Sequence, residues 1–376
     1  MNPHIEITVK NEKLNSDTLT FTLSGTDVSL ANSIRRTILS DIPTVVFKTT
    51  PYEENTANII ENTTRLNNEI IKQRLSCIPI HIKDETIPLK NYLLEVNVEN
   101  ISDTIIFVTT QDFTIKNLLT DKKLNEKDTR EIFPVNELTG YFIDFVRLRP
   151  KMSSELLGEK INLTCEFSIG TSKDNGMYNV VSTCSYGFTI DKAKIDNELT
   201  KKVQKWKDSG MTENDIDFET KNWKLLDGMR ITKKDSFDFN IQTIGVFSNY
   251  ELFDKACDIL IYTLNGLDEM IDTDKMTINN SQNTLANSFD IILENEDYTI
   301  GKVIEYMFYT LFYEGNKSLS FCGFKKMHPH DSQSIIRIAY HNAVDKSIVK
   351  QDLKKCIDMS IKVYKKIKKE ALKLVK

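Results

Sequence analysis

An internal repeat is the feature that most constrains how this chain can fold. Residues 18–38 align without gaps against residues 288–308, and one constant offset places Asp27 opposite Asp297. A repeat of this kind predicts that the same supersecondary unit occurs twice. Chance similarity between two amphipathic helices is the alternative, and the helical part of the alignment alone does not exclude it.

Each copy begins with the pattern of a strand followed by a helix. In the first copy, residues 18–23 alternate polar and apolar side chains, which is typical of a half-buried strand. Either Asp27 or Ser29 can cap the helix that follows. We expect this helix to continue to about Leu39 and to end before Pro43.

The two helices carry apolar side chains at helical spacing, which gives each of them an apolar stripe. A stripe of this kind has to be buried against another element. The stripe of the other copy is the obvious partner. We therefore predict an interface inside the molecule formed by Leu30, Ile34, Ile38, Ile300, Ile304 and Phe308.

Both copies continue with a second strand and a long helix. Residues 237–245 precede a helix whose predicted stripe, at three- and four-residue spacing, is Leu252, Ala256, Ile259, Thr263, Leu267 and Met270. Residues 334–340 precede a helix that we expect to run from about Asp345 to the end of the chain. Its predicted stripe is Val349, Leu353, Cys356, Ser360, Tyr364, Ile367, Ala371 and Leu374. Since both halves of the unit recur, chance is a poor explanation of the repeat.

The domain organisation follows from the distance between the two halves of the first copy. Residues 52–235 are too many for a loop, so an inserted domain is required. Its alternating segments predict strands, whereas residues 191–230 are charged and helical in pattern. The fold class is α+β, with two related dimerisation units packed together in one chain and the first interrupted by a mostly β insert. The predicted domains are the first unit at 1–51 and 236–272, the insert at 52–235 and the second unit at 273–376, with the joint near 271–283.

Composition and charge exclude several classes of protein. The 376 residues are 40% hydrophobic and 27% charged, which excludes a disordered chain and a fibrous repeat. The net charge of -5 argues against nucleic acid as the main partner. There is no leader pattern and no apolar run of about 18 residues, so we expect an intracellular protein that is not embedded in a membrane.

Motifs for catalysis and metal binding are largely absent. The sequence has no phosphate-binding glycine loop, dinucleotide fingerprint, nucleophile elbow or zinc-protease motif. The six cysteines are scattered, which favours buried free thiols over a zinc site. His328 and His330 could share a metal, but Pro329 between them favours a turn, and Asp272 with Asp274 favours a solvated loop. We predict no catalytic residue, no metal and no cofactor.

Two consecutive arginines lie in the first helix. At about 100° per residue, Arg36 points nearly opposite Ile34 and cannot belong to the buried stripe. An ordinary exposed charge is the alternative to a binding role for Arg35 and Arg36. The Lys-rich C-terminal segment is typical of the solvent-exposed face of an amphipathic helix. Contact with nucleic acid is the less favoured alternative.

The run SLANSIRRTILSDIPTVVF, residues 29–47, resembles the first helix of the alpha-like subunits of multisubunit RNA polymerases. These are the third subunit of eukaryotic RNA polymerase II, the archaeal D subunit and the bacterial alpha amino-terminal domain. Three further stretches match in family order: residues 67–80, 146–167 and 237–245. The C-terminal stretches 296–308 and 319–338 are similar to the eleventh subunit of polymerase II, or archaeal L.

The resemblance implies that two subunits that normally pair as a heterodimer are fused in this chain. It implies a noncatalytic assembly scaffold that binds the second-largest polymerase subunit, with the largest joining afterwards, together with small polymerase subunits. DNA would be contacted only indirectly, through the complex. Arg35 and Arg36 would then dock onto the second-largest subunit. Such fusions occur in large cytoplasmic DNA viruses, so the expected location is the virion and host cytoplasm for a viral chain, and otherwise the nucleus.

The chain departs from this family in one respect and leaves two other interpretations open. Eukaryotic third subunits often carry a four-cysteine zinc loop, but residues 81–92 contain no cysteine, so no zinc is expected there. Residues 191–230 have no clear family match. One other interpretation is a free-standing homodimeric adaptor with the same fold outside a polymerase. The other is an enzyme of unknown type, for which no nucleophile, base or metal cluster is visible.

Overall fold

The computed structural model describes residues 5–12, 18–84, 86–151, 153, 157–282 and 284–372. The chain contains both helices and strands, and the predicted α+β class is confirmed. The helices are α1 (Val28–Ser40), α2 (Asn68–Ser76), α3 (Glu126–Ile132), α4 (Lys192–Asp208), α5 (Glu213–Leu225), α6 (Asn249–Asp272), α7 (Tyr298–Phe308) and α8 (Lys346–Leu372). The strands are β1 (Glu6–Glu12), β2 (Thr18–Ser24), β3 (Thr44–Val46), β4 (Ala57–Asn62), β5 (Tyr92–Glu99), β6 (Ile106–Thr109), β7 (Thr114–Asn117), β8 (Lys122–Lys123), β9 (Asp144–Leu148), β10 (Lys160–Glu166), β11 (Ser168–Gly170), β12 (Val181–Ile190), β13 (Thr232–Thr243), β14 (Ile278–Asn280), β15 (Ser288–Glu294), β16 (Leu319–Lys325) and β17 (Gln333–Tyr340).

The repeat identified in the sequence is present in the structure. Strand β2 and strand β15 begin and end at aligned positions, and α1 and α7 begin at the aligned residues Val28 and Tyr298. Each repeated strand lies second in a four-stranded sheet, in the order β1-β2-β13-β12 or β14-β15-β17-β16. The two sheets therefore have the same connectivity, because each fourth strand immediately precedes its third strand in the chain.

Strand β12 lies within the range 52–235 predicted for the insert, but it pairs in the sheet of the first copy. We predicted it as a strand of the insert, whereas it lies beside β13 in the sheet of the first copy. The physical reason is that β13 pairs with β2 on one side only. Strand β12 supplies hydrogen-bond partners for the backbone N–H and C=O groups on its other side. Its counterpart in the second copy is β16.

The charged segment 191–230 is an insertion into the first copy. It forms the helices α4 and α5, which follow β12 and precede β13 in the chain and pack on each other. The corresponding connection in the second copy, between β16 and β17, is short. The charged pattern of this segment contains two tryptophans that we expect to be packing anchors. Trp223 is buried, whereas Trp206 is partly exposed.

The chain divides into two compact units. The first, named the repeat body, contains the described parts of Met1–Thr37, Thr183–Gln242 and Phe253–Lys376. The second, named the insert body, contains the described parts of Ile38–Ser182 and Thr243–Leu252. The predicted three-part division into two dimerisation units and an insert stays a prediction.

The insert body is built mainly from strands. Its largest sheet has five strands in the order β4-β10-β5-β7-β8, and two smaller sheets pair β11 with β3 and β6 with β9. Aromatic rings fill the centre of its core. The ring of Phe113 contacts those of Phe133 and Phe145 edge to face, with centroids 5.3 and 5.5 Å apart.

In the repeat body, helices α6 and α8 lie side by side and run antiparallel. Lys368 near the end of α8 pairs with Asp254 near the start of α6, at 3.1 Å. Lys354 near the start of α8 pairs with Asp268, one turn before the end of α6, at 3.7 Å. Ion pairs at both ends of the two helices fix their direction and their register.

The apolar faces of these helices differ slightly from the predicted stripes. On α6 the buried positions include Cys257, Leu260 and Leu264, while the predicted Ile259 and Thr263 are only partly buried. Apolar residues on α6 occupy two neighbouring faces of the helix, so spacing alone does not determine which face is buried. Tertiary packing buries the face that contains Leu260 and Leu264. On α8 the predicted positions from Val349 to Ile367 are buried, and residues 373–376, including Leu374, lie outside the described residues.

We predict that cutting the chain between α6 and β14 leaves the two copies associated. A protease site inserted between Asp274 and Lys275 would separate them without removing β14 from its sheet, which a cut near Asn280 would do. After cleavage the two fragments should elute together in size-exclusion chromatography. They should also stay together in 1 M salt, because salt screens the ion pairs but not the buried apolar contact. Separation into two folded fragments would contradict an apolar interface between the copies.

Candidate functional site

The junction between the two copies, within the repeat body, is the candidate site. Helices α1 and α7 begin with the same cap. The Ser29 amide donates to Asp27 Oδ2 at 2.8 Å, and the Thr299 amide donates to Asp297 Oδ1 at 2.8 Å. Asp27, and not Ser29, is therefore the cap of the first helix.

Arg36 connects α1 to the start of α7. Its Nη2 donates to Asp297 Oδ2 at 2.6 Å, and its Nε donates to Thr299 Oγ1 at 2.8 Å. The planar guanidinium suits this arrangement, because its separate N–H groups can donate to the carboxylate and to the hydroxyl at the same time in a fixed geometry. The Arg36 side chain is 34% exposed. Arg36 thus has partners inside the molecule, which the prediction of a purely exposed side chain did not include.

The repeat places a second pair of residues at the exchanged positions. Tyr306 aligns with Arg36 in the repeat, as Asp27 aligns with Asp297. Burial raises the pKa of Tyr306, and the nearby carboxylate of Asp27 acts in the same direction. A contact and its exchanged counterpart are the signature of a two-fold related pair. Of the two exchanged pairs, Arg36 and Asp297 are hydrogen-bonded, and the second copy has Tyr306 at the position of the arginine.

A buried hydrogen bond joins α1 to α8. Ser33 Oγ lies 2.6 Å from the hydroxyl of Tyr364 and donates to the Leu30 carbonyl at 2.7 Å. Because the serine has a single hydroxyl hydrogen, the Tyr364 hydroxyl is the donor to Ser33. Burial raises the pKa of Tyr364 well above its usual range. The tyrosine is therefore neutral at all physiological pH values.

The six predicted interface residues are all buried. The buried apolar positions are Leu30, Ile34, Ile38, Ile300, Ile304 and Phe308. Ile38 falls in the insert body, and the other five belong to the repeat body. Helix α7 packs against α8 and β16, and the rings of Phe308 and Phe312 lie 5.8 Å apart. That these side chains form one interface between the copies stays a prediction.

Arg35 points away from its neighbour Arg36. Its Nε donates to Asn32 Oδ1 at 3.0 Å. Its charge also opposes the rise in pKa that burial causes in Cys184 and Tyr186 on β12. Among the residues that the structure describes, no carboxylate lies within ion-pair distance of Arg35. The structure therefore does not bring the two arginines to a common partner.

The cysteines and histidines form no described metal centre. Burial raises the pKa of Cys165, Cys184 and Cys322 to about 12, so these thiols are protonated at neutral pH. Across the described ranges there is no group of three or more His, Cys, Asp or Glu side chains placed to hold a metal. His328 and His330 lie in a turn, where the His330 amide donates to His328 Nδ1 at 3.2 Å. None of the described helices is long and apolar enough to cross a membrane.

We predict that the purified protein holds no stoichiometric zinc. Cysteine binds zinc as the thiolate, and the raised pKa values of the buried thiols disfavour that form. The described residues also hold no group of three or more His, Cys, Asp or Glu side chains placed for a metal. Elemental analysis of protein purified without chelators should give well under one zinc per chain. One zinc per chain that survives mild chelation would contradict this prediction.

Comparisons with known proteins agree with the fold. The family model described as the RNA polymerase Rpb3/Rpb11 dimerisation domain matches residues 20–264. The chain is 26% identical over 313 residues to the rpac1 subunit of DNA-directed RNA polymerases I and III of Dictyostelium discoideum, covering 71% of this chain and 82% of the relative. It is also 26% identical over 285 residues to the DNA-directed RNA polymerase subunit Rpo3 of Picrophilus torridus, covering 69% of this chain and 97% of that subunit.

A shorter stretch is more closely related to a plant protein. Over 73 residues the chain is 41% identical to subunit 3B of DNA-directed RNA polymerases IV and V of Arabidopsis thaliana, which is 19% of this chain and 21% of the relative. The resemblance to RNA polymerase subunits is confirmed by these matches, and the family match alone spans more than half of the chain. The chain belongs to the RNA polymerase Rpb3/Rpb11 dimerisation domain family.

Proposed function

We propose that this chain is a noncatalytic assembly and scaffold subunit of a multisubunit DNA-directed RNA polymerase. In this role it binds the second-largest catalytic subunit, the largest subunit joins afterwards, and small polymerase subunits complete the complex. The observation that carries the proposal is a second copy of the four-stranded sheet and its two helices in a chain of this family. That copy begins after the family match ends at residue 264.

The second copy, in this proposal, takes the place of a separate partner subunit of the eleventh-subunit type. Almost all of the archaeal subunit Rpo3, 97% of it, aligns with 69% of this chain, so the chain has residues that this relative lacks. The equal strand order of the two sheets and the contact of Arg36 with Asp297 support an internal heterodimer. A viral origin would place the complex in the virion and host cytoplasm, and a cellular origin in the nucleus.

The free-standing homodimeric adaptor is the less favoured alternative. A homodimer needs an unpaired dimerisation face on each chain. In this chain α6 and α8, the long helices of the two copies, already lie against each other. The second copy thus occupies the position that a further chain would take.

The proposed docking surface for the second-largest subunit includes Arg35 and Arg36. The fold itself does not require arginine at either position, because the aligned residues of the second copy are Glu305 and Tyr306. Arg35 has no carboxylate partner among the described residues, so its charge is available to another protein. The guanidinium of Arg36 pairs with Asp297, and the part of its side chain that stays exposed contacts the second-largest subunit in this proposal. Such asymmetry gives a large partner one orientation on an otherwise two-fold body.

The two arginines can be tested separately. We expect Arg35→Ala to weaken binding to the second-largest subunit by about 2 kcal/mol, roughly 30-fold in Kd, with a free energy of unfolding changed by less than about 0.5 kcal/mol. We expect Arg36→Ala to lower the melting temperature as well, because it removes two hydrogen bonds between the copies. Binding is measured by titrating the purified subunit onto the full chain, and stability by a thermal melt.

The control is Lys362→Ala, which removes an exposed cation from α8 in the same body. It should change neither binding nor stability. Normal binding of the Arg35→Ala variant would show that this arginine lies outside the interface. A melt lowered by tens of degrees in that variant would show that Arg35 is needed for folding and not for docking.

A further inference from the structure

The insert body contains a cleft that the proposed function does not use. Its volume is about 480 Å³, within the range of about 300–1,000 Å³ that is common for ligand sites. One wall comes from the segment between α2 and β5, beginning at His81, and the other from helix α3. Both walls belong to the same compact unit.

The floor of the cleft is apolar. Ile82, Tyr92, Leu124 and Ile132 line it, and each is only partly buried although it packs against the core of the insert body. These side chains therefore keep apolar surface open to solvent at one place. Covering such a surface with apolar groups of another molecule releases water and is favourable at about 25 cal/mol per Å².

The rim of the cleft is acidic. Asp128 and Glu131 lie three residues apart on α3, so both carboxylates are on the helix face that borders the cleft. Neither has an ion-pair partner among the residues described. Asp84 lies on the opposite wall, and hydrogen bonds from Thr86 hold the pKa of its carboxyl below the usual range. At neutral pH the rim thus carries three negative charges.

The positive groups of the lining do not cancel this charge. Lys83 is paired with Glu251, with its Nζ 2.8 Å from Oε2. Burial, assisted by the charge of Lys83, lowers the pKa of His81, so the imidazole is neutral at neutral pH. The guanidinium of Arg130, also on α3, donates to the Gln111 carbonyl at 3.0 Å and lies over the ring of Phe142.

We propose that this cleft binds a short segment of a partner protein in which apolar side chains are followed closely by lysine or arginine. The apolar side chains fill the floor between Ile82 and Ile132, and the cations reach the carboxylates of Asp128 and Glu131. An anionic ligand would meet the negative charges of the rim and is disfavoured by like-charge repulsion. A neutral ligand would leave those carboxylates without a partner.

The test uses the isolated full chain, so it is independent of the proposed polymerase role. The probe is an array of synthetic seven-residue peptides with two adjacent leucine or isoleucine residues and two lysine or arginine residues at varied spacing. A matched array has glutamate in place of each cation. The tightest peptide is then measured by fluorescence polarisation and by methyl NMR of protein labelled at isoleucine.

We expect binding of basic peptides that is at least tenfold tighter than binding of their glutamate counterparts. Methyl shifts should appear at Ile82 and Ile132, and not at Ile300 in the repeat body. The paired substitution Asp128→Lys with Glu131→Lys should weaken binding at least tenfold. Because Asp128 lies in the first turn of α3, where a negative charge is stabilising, the isosteric pair Asp128→Asn with Glu131→Gln is tested as well.

The matched control is Asp103→Lys with Glu137→Lys, which changes the net charge equally at two exposed positions outside the cleft. This control should bind within twofold of the unchanged protein. Equal binding of acidic and basic peptides, an equal effect of the control pair, or methyl shifts confined to sites outside the cleft would each overturn the proposal. An array without any bound peptide would overturn it too.

Discussion

The antiparallel pairing of α6 and α8 brings the long helices of the two copies together in the repeat body. Both long helices carry buried apolar side chains, such as Leu260 on α6 and Leu353 on α8, and burial of apolar surface is the main favourable term in folding. The ion pairs of Lys354 and Lys368 lie at the two ends of the contact. Such pairs contribute little energy, about 0–1 kcal/mol each, so their effect is to select one direction and register.

The two copies place different residues at the same position of their junction. Both helices are capped by an aspartate, yet Arg36 of α1 pairs with Asp297, whereas the aligned residue of α7 is Tyr306. A perfectly two-fold body would offer a large partner two equal orientations. A chain that holds both copies can change each side separately, and a scaffold for unequal subunits needs that freedom.

The sequence predicts much of the repeat body because its signals are local and occur twice. Strand alternation, an aspartate cap and an apolar stripe recur at a constant offset, and the strands and helix starts lie at those aligned positions. The pairing of β12 with β13 could not be predicted in this way, because residues 191–230 separate the two strands and no local sequence pattern indicates which strands pair. The contact of Arg36 with Asp297 could not be predicted either, because the repeat alignment pairs Arg36 with Tyr306 and says nothing about which side chains meet across the junction. The cleft beside α3 arises from segments far apart in sequence and has no sequence signature.

If one chain contains both members of the dimer, the protein should need no second copy of itself. The mass of the purified full chain in solution, measured by light scattering over a wide range of concentrations, tests this point. We expect a monomer of 43.3 kDa at every concentration, because in the proposed arrangement the second copy of the fold takes the place of a partner chain. A stable particle of twice that mass at low concentration would contradict an internal dimer and support a homodimeric adaptor.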